Sequence, residues 1–168
     1  MTDFHADVLP LRQKIFRLAL RITGQREEAE DIVQETLLRV WQKLSSGSEI
    51  ESAQAFTLTT ARHLALDAVR RSAGEVEPLD EEAGRVASGV PATSHHAEHQ
   101  DHRQWLRRIV AAMPERQRTM LGLRDVERMS YKDIAAALGV SEDTVKVTIY
   151  RARQRIRQEY EQIERYGL

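Results

Sequence analysis

The chain has 168 residues and a formal net charge of −1, from 25 basic and 26 acidic side chains. This length fits one ordinary domain or two small ones and excludes large catalytic barrels and doubly wound enzymes. The absence of cysteine excludes a disulfide scaffold and any cysteine-ligated zinc or iron–sulfur site. No apolar run reaches the length of a membrane span, and residues 1–20 lack the pattern of a signal peptide. We therefore expect a cytoplasmic protein without membrane insertion.

Three amphipathic helices are predicted in the first 72 residues. Apolar residues of the first helix, which Gly24 ends, recur at helical spacing: Val8, Leu11, Ile15, Leu18, Ala19 and Ile22. The second helix stops at a serine-rich loop and repeats this spacing through Ala29, Ile32, Val33, Leu37, Val40, Trp41 and Leu44. The third is expected from about Ser52 to Arg71, with one face made of Phe56, Thr60, Ala61, Leu64, Ala68 and Val69. Alternating strand patterns are absent, so the predicted fold class is all-α.

A flexible acidic linker is predicted over residues 73–97. Residues 75–101 contain seven acidic side chains against the single Arg85, which leaves a net charge of +5 on the rest of the chain. Glycine and proline recur in this stretch, and its apolar residues show no period. The linker joins two small helical domains, predicted at 1–72 and 98–168. A net charge near zero argues against a nucleic-acid partner only if the charge is uniform, and here it is not.

Two further helices and a helix-turn-helix are predicted after the linker. The fourth helix carries Trp105, Leu106, Ile109, Val110 and Met113, and Pro114 opens a fifth through Met120, Leu121 and Leu123. Ser130 and Asp133 have the spacing of a capping box, Gly139 suits a tight turn, and Ser141 caps the last helix. That last helix is expected to bury Val145, Ile149, Ala152 and Ile156.

The helix-turn-helix would place the first turns of its second helix in the major groove of DNA. Arginine and lysine there can donate to guanine edges, and any basic side chain can meet phosphate. An ordinary helical hairpin with a solvated basic face is the alternative. The caps, the glycine turn and an acid-free basic stretch from Thr144 to Arg157 together favour DNA binding.

Motifs in both halves of the chain carry a resemblance to a known family. The segment EAEDIVQETLLRVW at 28–41 resembles the polymerase-binding helix of extracytoplasmic-function (ECF) sigma factors of the sigma-70 family. The segments MPERQR at 113–118, MSYKDIA at 129–135 and YRAR at 150–153 are similar to their region-four domain. The resemblance covers most of 8–71 and 103–158, and it implies region two at 1–72 and region four at 98–168. It further implies a protein that binds core RNA polymerase and directs promoter recognition, DNA melting and transcription initiation, without catalytic activity or a cofactor.

Polymerase binding falls, by this resemblance, to the second helix, and the partner surface would be the clamp helices of the large polymerase subunit. The residues concerned are Asp31, Gln34, Glu35 and Arg39. The first three lie on or beside one helical face and form a compact acidic and amide patch that suits a protein partner. A solvated acidic helix start is the alternative interpretation.

By the same resemblance, minus-ten binding falls to the third helix and the loop before it. The loop at 45–55 would capture an extruded base, although it contains no aromatic platform. Phosphate contacts are assigned to Arg62, His63, Arg70 and Arg71, with simple solubility as the alternative. Where relatives commonly read WLYTIARN, this chain reads FTLTTARH at 56–63, so the departures at Thr57, Leu58 and His63 leave the minus-ten contacts open.

Minus-thirty-five binding is assigned to the last helix, through Ser141, Thr144, Lys146, Val147, Tyr150, Arg151 and Arg153. Relatives frequently have Lys-Ser-Arg where this chain has Lys146, Val147 and Thr148. Because valine can contact a thymine methyl group, we expect a promoter preference particular to this protein.

The spacing of promoter elements bears on how the two domains sit in the free chain. Elements two helical turns of DNA apart are separated by roughly 70 Å. A flexible linker of about 26 residues spans only about 25–30 Å on average. The domains should therefore lie near each other in the free chain, which is predicted to be a monomer, and move apart on polymerase.

Other partners and activities follow from the family or compete with it. An anti-sigma factor is an expected partner by resemblance. The main alternative function is a two-domain regulator that binds operators as a dimer, but it has no reason to contain the segments at 28–41 and 56–71. Four histidines, at His95, His96, His99 and His102, could pair on a helix to hold Zn²⁺ or Ni²⁺. Without a cysteine or a carboxylate on the same face, a polar approach to the fourth helix is favoured and no metal site is predicted.

Overall fold

A computed structural model describes residues 1–74 and 97–166, with the side chains of 97–101 left out. Its α-helices are α1 Arg12–Thr23, α2 Arg26–Ser45, α3 Ala53–Ser72, α4 Ala97–Ala111, α5 Glu115–Leu121, α6 Tyr131–Leu138 and α7 Glu142–Tyr166. Shorter π and 3-10 turns lie at Phe4–Val8, Leu9–Leu11 and Gly122–Val126. The described ranges contain no strand, which confirms the all-α prediction. None of the described helices is long and apolar enough to cross a membrane.

The N-terminal module consists of α1, α2 and α3, each packed against the other two. Gly24 ends α1 in the left-handed conformation, with φ of 69°. The Ser52 side chain caps α3 by accepting a hydrogen bond from the Ala55 amide at 3.2 Å. The core between the helices consists of fully buried apolar side chains, among them Ile15, Leu18, Ile22, Ala29, Val40, Leu58, Ala61 and Ala65.

Three sequence-based expectations for this module need correction. Val8 is buried, but it ends a π turn that precedes α1. Trp41 is half-exposed, and its ring meets Phe4 edge-on with 5.1 Å between centroids. The buried face of α3 includes Thr57 and Leu58, whereas Phe56, Thr60 and Val69 are only partly buried. The α3 pattern misled because this helix packs against α1 and α2 on one side and against α6 on another.

In the C-terminal module, α4, α5 and α6 each pack against the long helix α7. Met113 and Met120 fill its centre with no exposed surface. Pro114 stands immediately before α5 and not within its first turn. Leu106 is exposed, contrary to its place in the predicted apolar face. Arg118, which the sequence did not single out, is buried and donates from Nη1 to the Ala111 and Met113 carbonyls at 3.1 and 3.2 Å, which satisfies the end of α4.

The predicted helix-turn-helix is formed by α6, Gly139 and α7. Ser130 accepts a hydrogen bond from the Asp133 amide at 3.0 Å, and Ser141 accepts one from the Thr144 amide at 3.1 Å. Gly139 adopts φ of 66° at the turn between the helices. α7 buries Val145, Ile149 and Ala152 as expected, but Ile156 is only partly buried because α7 extends beyond the core.

The two modules are in contact, as the short span of a flexible linker leads one to expect. α3 packs against α6, and α1 touches α5. The alanines of α6 let its backbone approach α3 closely, and the Thr59 hydroxyl donates to the Ala137 carbonyl. The predicted linker at 73–97 lies almost wholly outside the described residues.

Candidate polymerase and nucleic-acid interfaces

The exposed face of α2 combines acidic, amide and apolar side chains. Asp31, Gln34 and Arg39 are exposed and Glu35 is partly exposed, and the Arg39 Nε donates to the Glu35 Oε1 at 2.7 Å. Two large apolar side chains on the same helix are also exposed, Leu38 at 50% and Trp41 at 49%. The sequence did not lead us to expect that either side chain is exposed. For Leu38 a signal was present, because this residue falls outside the apolar stripe of α2. Large apolar side chains exposed beside polar ones are typical of protein-binding surfaces.

The predicted minus-ten residues on α3 do not form one continuous basic stripe. His63 and Arg71 are exposed, and Arg70 pairs with Asp67 at 3.2 Å. Arg62 points instead at the C-terminal module, where its Nη2 and Nε lie 3.0 and 3.4 Å from the two carboxylate oxygens of Glu115. These side chains are only 16% and 12% exposed. In this conformation Arg62 is therefore held by a carboxylate.

The loop between α2 and α3 is tied to the chain terminus. The Thr2 hydroxyl donates to the Ile50 carbonyl at 3.0 Å, and the Ser46 and Ser48 hydroxyls lie 3.1 Å apart. Of the three departures from the family pattern, Thr57 and Leu58 are fully buried, so they change the core of the module and not its surface. Only His63 lies where DNA can reach it.

The outward face of α7 is open to solvent over its first three turns. Lys146 and Arg151 are exposed, with Val147 at 47% and Tyr150 at 63% exposure between them. The remaining predicted residues have structural roles as well. The Ser141 and Thr144 hydroxyls lie 2.8 Å apart at the start of the helix. Arg153 is held by Asp125, and that hydrogen bond raises the pKa of the Arg153 guanidinium.

A buried carboxylate joins the two modules at a second place. The Glu127 carboxylate, 3% exposed, accepts hydrogen bonds from Arg17 Nε at 2.6 Å and Nη2 at 2.8 Å, and from Arg21 Nη2 at 3.1 Å. Burial alone would raise the pKa of Glu127, but the hydrogen bonds and charges of the two arginines lower it below its ordinary value. Burial lowers the pKa of Arg21, against the influence of Glu127. No sequence pattern signalled this cluster, because its members lie more than a hundred residues apart.

The described part of the histidine cluster does not form a metal site. His95 and His96 lie outside the described residues, as does the His99 side chain. His102 is exposed and lies 6.1 Å from the Tyr160 ring between centroids. Among the described residues, no group of three histidine, aspartate or glutamate side chains is placed to hold a metal ion.

Comparison with known proteins finds two family models that match separate parts of the chain. Residues 8–75 match the family model for Sigma-70 region 2, and residues 103–156 match that for Sigma-70, region 4. A solved structure of the sigma factor RpoE in complex with the anti-sigma factor NepR, from Bartonella quintana, aligns with a TM-score of 0.67 and 25% sequence identity, over 96% of this chain and 98% of that one.

Curated relatives agree with these matches. The ECF RNA polymerase sigma factor SigE of Mycolicibacterium smegmatis is 31% identical over 154 residues, which are 91% of this chain but only 57% of that protein. The ECF RNA polymerase sigma factor SigL of Mycobacterium tuberculosis is 33% identical over 158 residues, 92% of this chain and 84% of that protein. The chain therefore belongs to the ECF sigma factors of the sigma-70 family, the subunits that direct RNA polymerase to promoters.

Proposed function

We propose that three helices of this sigma factor divide promoter recognition among them: α2 binds core RNA polymerase, α3 contacts the minus-ten element and α7 reads the minus-thirty-five element. The boundaries that fit this division are region two at 1–72, a linker at 73–97 and region four at 98–168. The single observation that carries the proposal is the outward face of α7, where Lys146, Val147, Tyr150 and Arg151 stand free of the other helices.

The face of α7 has the composition of a groove-reading surface. Its charged ends can donate to guanine or to phosphate, and Val147 offers a methyl group to thymine. Val145, Ile149 and Ala152 anchor the opposite side of the helix in the module, so the reading side chains are held on a rigid support. Ser141 and Thr144 lie at the helix N-terminus, whose free amides and positive dipole end favour a phosphate.

The α2 face suits a protein partner. Asp31, Gln34 and the Glu35–Arg39 pair provide polar contacts that fix orientation, while Leu38 and Trp41 provide apolar area for burial. Exposed aromatic side chains are frequent anchors of protein interfaces, so Trp41 is the residue on which we expect polymerase binding to depend most.

The remaining assignments follow from the family. The protein initiates transcription without catalysing a covalent step, so it is not an enzyme, and it acts as a cytoplasmic monomer before it joins polymerase. The Bartonella quintana sigma factor is bound to an anti-sigma factor, and we propose a partner of this kind here. The α2 face with Leu38 and Trp41 is where such a partner would compete with polymerase.

Reconstitution with core RNA polymerase tests the proposal. The chain should co-elute with core enzyme and support promoter-dependent run-off transcription. Leu38→Ala should weaken the affinity for core enzyme about tenfold, because an interface side chain of this kind contributes about 1–2 kcal/mol. Leu106→Ala is the matched control, because Leu106 is a similarly exposed leucine on α4. Failure of both co-elution and transcription would favour a regulator that binds operators without polymerase.

A further inference from the structure

An arginine with a strained backbone lies between the π turn Gly122–Val126 and α6. Arg128 has φ of 59°, and it is the one residue other than glycine with a positive φ in the part of the chain that the structure describes. A side chain meets steric repulsion in this left-handed region, and glycine avoids it. Arginine also lacks the short polar side chain with which asparagine or aspartate tolerates this conformation. Arg128 is therefore less favourable for folding than a glycine would be, which directs attention to its side chain.

Contacts on both sides hold Arg128 in this conformation. The Glu127 carboxylate before it is buried, and so is Met129 after it. The Met129 amide donates to the Leu123 carbonyl at 3.0 Å, and the Met129 carbonyl accepts a hydrogen bond from Arg124 Nη1 at 2.8 Å. Because both neighbours are turned into the protein, the Arg128 side chain is directed to solvent, where it is exposed.

The segment that carries Arg128 borders the outward face of α7. Asp125, three residues before Arg128, is hydrogen-bonded to Arg153 of α7. Arg153 follows Lys146 by seven residues, so the two lie only about 20° apart around the helix and about 10 Å apart along it. Asp125 therefore anchors this segment at the flank of the face that carries Lys146.

The flank of a groove-reading helix is where a cation can meet the DNA backbone. A helix in the major groove lies between the two phosphate backbones. The Arg128 guanidinium makes no hydrogen bond or ion pair with the residues that the structure describes, so its planar pair of N–H donors is available to a phosphate. Nearby acids do not oppose this contact, because Asp125 is engaged by Arg153 and the exposed Asp133 has the exposed Lys132 beside it.

We propose that Arg128 donates to a backbone phosphate beside the minus-thirty-five element, and that its left-handed backbone is the conformation that directs the guanidinium there. This inference rests on the proposed reading role of α7. The contact carries no sequence information, because every base pair presents the same phosphates. It adds affinity for duplex DNA of any sequence and fixes the position of α7 in the groove.

Three substitutions at this one position separate the charge of Arg128 from its backbone strain. Arg128→Lys keeps both, Arg128→Ala keeps the strain without the charge, and Arg128→Gly removes both. Arg165→Ala is the matched control, because it removes the same charge from an exposed position roughly 18 Å beyond Arg153 along α7. The full-length chain is titrated onto a fluorescent DNA duplex of mixed sequence, and anisotropy gives the affinity at several salt concentrations. Thermal unfolding followed by circular dichroism gives the Tm.

We expect DNA affinity and stability to change in opposite directions. Arg128→Gly and Arg128→Ala should each weaken duplex binding about threefold to tenfold at low salt, and should reduce the slope of log K against log salt by about 0.9. Arg128→Lys and Arg165→Ala should bind like the unaltered chain. Only Arg128→Gly should raise the Tm, by about 2–4 °C, because only glycine relieves the left-handed backbone.

A purely structural role would make affinity follow stability, so unchanged or tighter binding by Arg128→Gly would overturn the proposal. An unchanged salt slope with Arg128→Ala would do the same. Weaker co-elution of Arg128→Ala with core polymerase, at unchanged duplex binding, would assign the arginine to a protein contact instead. An unchanged Tm in Arg128→Gly would refute the role given to the left-handed backbone.

Arg151→Ala, measured on the same duplex, separates failure of this inference from failure of the proposed function. If Arg151→Ala weakens binding and Arg128→Ala does not, α7 meets DNA without the help of Arg128. If neither substitution changes binding, the proposed role of α7 is wrong, and the inference falls with it.

Discussion

The two helices proposed to face promoter DNA, α3 and α7, are packed in opposite ways. α7 is anchored on one side only, by Val145, Ile149 and Ala152, and its other side is open. α3 is covered on two sides, by the core of its own module through Leu58 and by α6 through Thr59. Closure of the chain therefore conceals part of the proposed minus-ten surface while the proposed minus-thirty-five surface stays available.

Under the proposed function, this difference bears on the order of promoter contacts. The α7 face would be available to duplex DNA in the closed chain, whereas part of the α3 face would become available only after the modules separate. Contact with single-stranded DNA is useful only where polymerase has begun to melt the promoter.

Leu58→Ala should have the largest effect on stability, because it removes a fully buried side chain from the core side of α3. We expect the free energy of unfolding of the N-terminal module to fall by about 2–5 kcal/mol. Thr59→Ala is the matched change at the next residue, on the side that faces α6, and should cost only about 1 kcal/mol. Urea denaturation followed by circular dichroism measures both. Equal losses would mean that the two sides of α3 contribute alike.

One-sided packing also explains which parts of the fold could be predicted from the sequence. The buried face of α7 follows a simple helical spacing, and it was predicted correctly apart from Ile156. The caps of α6 at Ser130 and of α7 at Ser141 use local hydrogen bonds, and they were predicted correctly too. The pattern of α3 was less informative, because a helix covered on two sides shows a broad apolar and small-residue surface with no single stripe.

The contacts between the modules could not be predicted at all. Arg17 and Glu127 are 110 positions apart, and each alone resembles an ordinary solvated charge. Arg62 was assigned to phosphate from its type and place on α3, and nothing local reveals that Glu115 reaches it. Leu38 was overlooked because an apolar stripe draws attention to the residues inside it and not to an apolar residue outside it.

Arg151→Ala tests whether the open side of α7 contacts promoter DNA. If Arg151 donates to a base or a phosphate, its loss should cost about 1–3 kcal/mol of promoter binding and reduce run-off transcription at limiting holoenzyme accordingly. Arg165→Ala is the control, because Arg165 is an exposed arginine on the same helix, roughly 21 Å further along its axis. Unchanged transcription with Arg151→Ala would remove that residue from the promoter-reading surface.

Thr57→Val tests the core side of α3 with a smaller change. The Thr57 hydroxyl is buried and has no hydrogen-bond partner among the described residues. Replacing it by a methyl group of similar shape removes an unpaired polar atom, so the free energy of unfolding should rise by about 1 kcal/mol. Thr60→Val is the control, because the Thr60 hydroxyl donates to the Phe56 carbonyl at 2.8 Å and gains nothing from removal. A loss of stability in Thr57→Val would show that its hydroxyl is satisfied in solution.

Acidification should produce the smallest effect, a gradual opening of the chain. The pKa of Glu127 in the closed chain lies below its ordinary value, because the hydrogen bonds and charges of Arg17 and Arg21 outweigh burial. A depressed carboxyl pKa contributes to closure fully above the ordinary value, and this contribution disappears as the pH falls through the depressed one. A fluorophore pair attached through Glu27→Cys on α2 and Gln158→Cys on α7 should therefore report separation of the modules only at acidic pH. Glu127→Gln cannot titrate at this position, so the difference between the two pH profiles isolates the contact of Glu127 with Arg17 and Arg21 from every other carboxylate. Coincident profiles would mean that Glu127 does not hold the modules together.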